Sequence, residues 1–178
     1  YFQMKSSIGI NNILQFILFV ALQVLLMDNL VLYSTGFCYI YVAFLLFLPI
    51  GINRLLLLFL GFLVGFTVDV FYDTMGIHAA ASVLLAFLRP HILNLLTPRD
   101  GYDISDSVNI HIMGKGWFLA YTFTLLLVHH AAVFILERIS FDDFLHTLLK
   151  IVLSALFTCV VVIILQLLFF SPKRTSRA

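Results

Sequence analysis

Charge is scarce in this chain. Asp, Glu, Lys and Arg make up 11% of its 178 residues, and the mean hydropathy is +1.10. A soluble domain carries about 25% charged residues, so this composition excludes one and offers no basic surface for nucleic acid. Cysteine is nearly absent too. Cys38 and Cys159 both fall in apolar runs and read as buried apolar fillers rather than a disulfide or metal pair. The common catalytic signatures are missing: there is no Gly-x-Ser-x-Gly, Walker loop, His-Glu-x-x-His or Cys-x-x-Cys. Met113-Gly114-Lys115-Gly116 lacks the spacing of a phosphate loop. An aspartyl dyad needs acids on two helices, whereas Asp69 and Asp73 share one. The expectation is a protein that is not an enzyme and uses no cofactor.

What the chain has in abundance is apolar sequence, at 62% of residues. Six runs approach the roughly 20 residues that cross about 30 Å of hydrocarbon. They lie at 8–27, 36–52, 54–72, 76–96, 116–136 and 148–170. The predicted fold is all-α, a polytopic six-helix transmembrane bundle occupying 4–172. Tyr1-Phe2-Gln3 before Met4 reads as a tag remnant, and 173–178 as a basic tail. The first run has no small-residue cleavage site and is not read as a signal peptide. Pro90 interrupts the fourth, which predicts a crossing helix to Leu88, a kink, and a remainder bending along the inner surface.

Six spans put both termini on one side. That side would hold Lys5, Arg54, Arg89, Arg99, Lys115, Lys173, Arg174 and Arg177, against Arg138 and Lys150 on the other. Eight against two predicts cytoplasmic termini. The longest connection, 97–115, is then cytoplasmic. Its apolar residues on even positions, from Tyr102 through Ile104, Val108 and Ile110 to Ile112, suggest an extended apolar edge or an ordinary loop packed under the bundle.

The stretch 61–73, GFLVGFTVDVFYD, concentrates the informative residues. Gly61, Gly65, Asp69 and Asp73 recur every four residues, so they share one helix stripe. Asp69 lies about 22 Å along its span, in the outer leaflet, where a charge costs about 2.5 kcal/mol or more unless it is partnered. His78, Lys150 and a residue of another protein are the candidate partners. Alternatively, Asp69 caps the next helix through its backbone donors. Asp73 falls near the outer surface. Gly61 and Gly65 form a close-packing motif that seats span three either on a helix of this chain or in a groove holding a partner's helix. His129-His130 point about 100° apart on a helix and do not suggest a metal site.

Residues 61–81, from those glycines through Asp69 to Gly76, His78 and Ala79, resemble the MreD family of rod-shape-determining membrane proteins, as does the six-span layout. Asp73 and the long cytoplasmic loop are less typical of that family. The resemblance implies a non-enzymatic scaffold of the bacterial cell-elongation complex in the cytoplasmic (inner) membrane. It would bind MreC and, through it, RodA with its paired transpeptidase and MreB filaments, and so help control lateral peptidoglycan synthesis and cell shape. The family is similar in fold to substrate-binding subunits of energy-coupling-factor vitamin transporters, which supplies the alternative. That alternative predicts an outward pocket of convergent polar groups and an Ala-x-x-x-Ala face on the first span. The first span has Gln15 and Gln23 but no such pair. A proton- or ion-coupled carrier using Asp69 is a third reading, but neither an inverted repeat nor a broken-helix pair is evident.

Overall fold

The computed structural model describes residues 9–27, 31–32, 35–99, 101–102, 108–138 and 143–169. The expected tag remnant (1–3), the basic tail (173–178), and Lys5, Asp28, Asp100, Asp103, Ile104, Asp106 and Asp142 lie outside them. The chain is a helical membrane protein. Among the described residues, four helices are long and apolar enough to cross a membrane: α3 (Arg54–Tyr72), α4 (Ile77–Leu95), α6 (Lys115–Glu137) and α7 (Phe144–Phe169). Ahead of them run α1 (Ile10–Leu22), which continues as a π-helical turn over Gln23–Met27, a two-residue antiparallel pair β1 (Val31–Leu32) and β2 (Gly36–Phe37), and a short α2 (Val42–Phe47). A single helical turn, α5 (Ile110–Met113), precedes α6.

The second expected span is therefore not a transmembrane helix. Gly36, Pro49 and Gly51 punctuate it, leaving six helical residues between extended segments. Every residue from Cys38 to Leu48 is nonetheless buried. Non-helical backbone at membrane depth is tolerated only where protein supplies its hydrogen bonds, and the neighbouring helices do so. Phe37 N–H donates to Ser154 Oγ (2.9 Å) and Tyr39 N–H to Thr158 Oγ1 (3.1 Å), both on α7. Gln23 Nε2 donates to Cys38 O (3.2 Å), and Gln23 Oε1 accepts from Tyr41 N–H (3.4 Å). At the far end Tyr121 Oη donates to Leu46 O (3.1 Å), and Arg89 donates to Leu48 O and to Pro49 O (3.3 Å). The segment is a central post. Its surround packs α1 on α3, α3 on α4, α4 on α6 and α6 on α7, with β2 against α7.

Arg89 also accounts for the fourth span. The helix expected to Leu88 is continuous to Leu95, with Pro90 inside it. The residue before proline disfavours helical angles, but Arg89 is fully buried, and its Nε donates to Tyr121 Oη at 2.7 Å while its terminal nitrogens hold the post. That anchoring fixes the turn the proline would loosen. In the loop that follows, Ile110–Met113 is helical rather than extended, and Val108 and Ile110 are buried under the bundle, where Gln166 of α7 bonds Val108 O and Ile110 N–H.

Candidate functional site

α3 begins at Asn53, whose side chain accepts from Leu55 N–H (2.9 Å) and Leu56 N–H (3.4 Å), a conventional helix start. It ends at Asp73, which takes the left-handed conformation (φ 54°) that lets the chain reverse. Three residues later Gly76 (φ 86°) opens α4. This tight reversal delivers the first turn of α4 to Asp69. Oδ1 of Asp69 accepts from His78 N–H (3.0 Å), His78 Nδ1 (3.0 Å) and Thr74 Oγ1 (2.5 Å), and Oδ2 accepts from Ala79 N–H (2.8 Å). Asp69 thus caps a helix other than its own and places negative charge at the positive end of that helix. Both Asp69 and His78 are about 3% exposed. Because Nδ1 of His78 meets an acceptor, the network assigns its hydrogen there, and Nε2 is left as an acceptor with no partner among the described residues.

The other residues singled out fall in different places. Lys150 does not join Asp69. Its ammonium pairs with Glu137 (3.4 Å) and lies over the rings of Phe37 (4.6 Å) and Phe134 (4.5 Å). Asp73 is exposed at the C-terminal end of α3. Gly61 and Gly65 are buried against this chain's own α4, so the groove for a partner's helix does not lie along them. A Cβ on Gly65 would fall on His78 O and 2.5 Å from Ala79 Cα, and one on Gly61 would sit 3.0 Å from Ala86 Cβ and Ser82 O. Gly76 and Ala79 do form the turn and helix start.

The glycine contact draws α3 and α4 together on their inner side. On their exposed side α3 and α4 line an open cleft of about 1190 Å³. Phe62, Phe66 and Val70 line one wall, Leu84 and Phe87 the other, and Gly76, Ala79 and Ala80 keep its upper floor shallow in side chains. The rings of Phe62 and Phe66 stack at 5.5 Å. Asp69 reaches the cleft from below, and Asp73 stands at its outer mouth.

Sequence reasoning missed the polar interior behind the cap. Tyr41 Oη and His129 Nε2 are 2.8 Å apart. His130 meets Leu126 O through Nδ1 (2.7 Å) and Thr158 Oγ1 through Nε2 (3.1 Å). The neighbouring histidines serve different partners, with ring centroids 5.5 Å apart. Among the described residues no group of three His, Cys, Asp or Glu side chains is placed to hold a metal. Gln23 is a hub: besides the post, its Nε2 donates to Tyr72 Oη (2.8 Å), which donates back to Gln23 O (3.1 Å). The sequence offered Gln23 and His129-His130 as polar residues inside apolar runs, but not the contacts that join them to the post. Family models, curated proteins and solved structures were all compared with the chain, and none matches.

Proposed function

We propose that this chain is a non-enzymatic membrane scaffold of the bacterial cell-elongation complex, an MreD-like protein of the cytoplasmic membrane that holds the transmembrane helix of MreC. Through MreC it would engage RodA, its paired transpeptidase and MreB filaments. The observation that carries this reading is the α3–α4 cleft: a long apolar channel with small residues on its floor and a carboxylate at its outer mouth. Small residues let a helix approach closely in lipid, where van der Waals packing drives association. Asp73 suits a partner with a basic residue just outside the membrane. In this proposal the buried post is a crossing with only a short helix at its middle, which makes six passages with α1, and both termini are cytoplasmic, in keeping with the basic residues.

Cysteine scanning with MreC co-expressed tests it. Cysteines at Phe66 and Leu84 are expected to cross-link to the MreC helix, while one at Leu119, on the exposed side of α6, is expected to give no adduct. Asp73→Asn keeps a residue that tolerates the left-handed conformation and removes the charge, and it should reduce MreC recovery. Absence of adducts from the cleft, or equal adducts from Leu119, would overturn the assignment.

A further inference from the structure

A second cavity, about 340 Å³, lies at the outer end of the bundle on the other side of the Asp69–His78 cap. Four separate parts of the chain converge on it: the π-helical turn, the entry to the central post, the α3–α4 reversal and the last turn of α6. Its volume is at the small end of ligand sites. In a membrane protein, polar groups gathered at such depth are expensive and mark functional positions.

Its chemistry is one-sided. Phe37, Tyr39, Phe71 and Tyr72 supply aromatic walls. Besides the Tyr39 hydroxyl, the polar side chains with unused capacity are acceptors. His78 lines the cavity with its Nε2 buried and without a partner among the described residues, and Glu137, paired with Lys150, presents a half-exposed carboxylate. Gln23 and Thr74 are already committed, to Tyr72 and the post and to Asp69 respectively. The acids beside it are Asp69 and Glu137, and the cations near Glu137 are Lys150, paired with it, and Arg138, which donates to Asp143 O and Thr147 Oγ1. Lys150, outside the lining, rests its ammonium on Glu137 and over the Phe37 and Phe134 rings, and Glu137 and Phe37 also line the cavity.

We propose that this cavity binds a small organic cation of the arylalkylamine class. The ammonium would be held by Glu137 and His78 Nε2, and the ring would stack among the aromatic walls. The inference rests on neither the scaffold reading nor the transporter alternative, because it depends on the outer cavity and not on the α3–α4 cleft.

Equilibrium dialysis of the full chain in lipid nanodiscs tests it, with tryptamine as the probe, indole-3-acetate as its anionic counterpart and empty nanodiscs as the background. Saturable one-to-one binding of tryptamine is expected, with none for indole-3-acetate. Glu137 is exposed and outside the packed interior, so Glu137→Gln should fold, as gel filtration can verify, and bind tryptamine about tenfold more weakly. The proposal is overturned by the absence of saturable binding, by indole-3-acetate binding as well as tryptamine, or by an unchanged affinity in Glu137→Gln.

Discussion

Replacing Asp69 with alanine will destabilise the bundle by about 3 kcal/mol or more, measured as the shift in SDS-induced unfolding of the purified protein. The magnitude follows from what the carboxyl holds. It accepts two backbone N–H groups of α4, the His78 ring and the Thr74 hydroxyl. Removing a helix cap alone costs about 0.5–2 kcal/mol. Breaking a buried, hydrogen-bonded charge site costs about 3–5 kcal/mol, because the partners stay buried without replacement. Asp69→Asn separates the contributions. It keeps an acceptor for His78 N–H but turns an NH2 toward Ala79 N–H, so its loss should fall between wild type and alanine. An Asp69→Ala protein within about 0.5 kcal/mol of wild type, the range of an ordinary surface change, would show that α4 does not depend on this cap.

Gly65→Ala is the second large effect, and it acts through space rather than charge. The added methyl would meet His78 O and approach Ala79 Cα and N to 2.5 and 2.7 Å, all backbone atoms with no side-chain rotation to relieve them. Overpacking typically costs about 1–3 kcal/mol, and a clash with backbone belongs at the upper end. Gly61→Ala is the internal control: its nearest neighbours stand at 3.0 Å, one of them the Ala86 methyl, so a shift of a few tenths of an ångström accommodates it at about 1 kcal/mol or less. The ratio between the two variants, read in the same unfolding assay, tests the packing directly. Equal losses would mean that the helices do not approach most closely at Gly65. Since Asp69 and Gly65 both act on His78 and Ala79, the double variant should lose less than the sum of the singles.

These residues show what was legible from the chain alone. α3, α4, α6 and α7 were visible because lipid-facing helices must be long and apolar, and their hydropathy says so. Asp69 was placed by its depth, which named His78 and the entry of α4 among its possible partners. Depth failed for Lys150, because a matched height says nothing about which side of the bundle a side chain faces. The glycine stripe was recognised as close packing, but sequence could not tell an internal helix from a partner's. The central post escaped altogether. A buried segment with only one short helix is as apolar as a spanning helix, and the groups that satisfy its backbone come from Gln23, Arg89, Tyr121, Ser154 and Thr158 on other helices. His129, Arg89 and Gln23 were hidden for the same reason, since each takes its meaning from a distant carbonyl or hydroxyl.

The post sets an order of events during biosynthesis. At its entry the N–H groups of Phe37 and Tyr39 donate to the hydroxyls of Ser154 and Thr158, 117 and 119 residues later in the chain. At 5–20 residues per second, those partners emerge roughly 6–24 s after the backbone that needs them. Until then the segment at 38–48 has unsatisfied peptide groups and no stable place in lipid. The last helix to be made therefore completes the first third of the fold. A chain truncated before α7 should be recognised by quality-control proteases as unfinished along its whole length, even though three of its four long helices are intact.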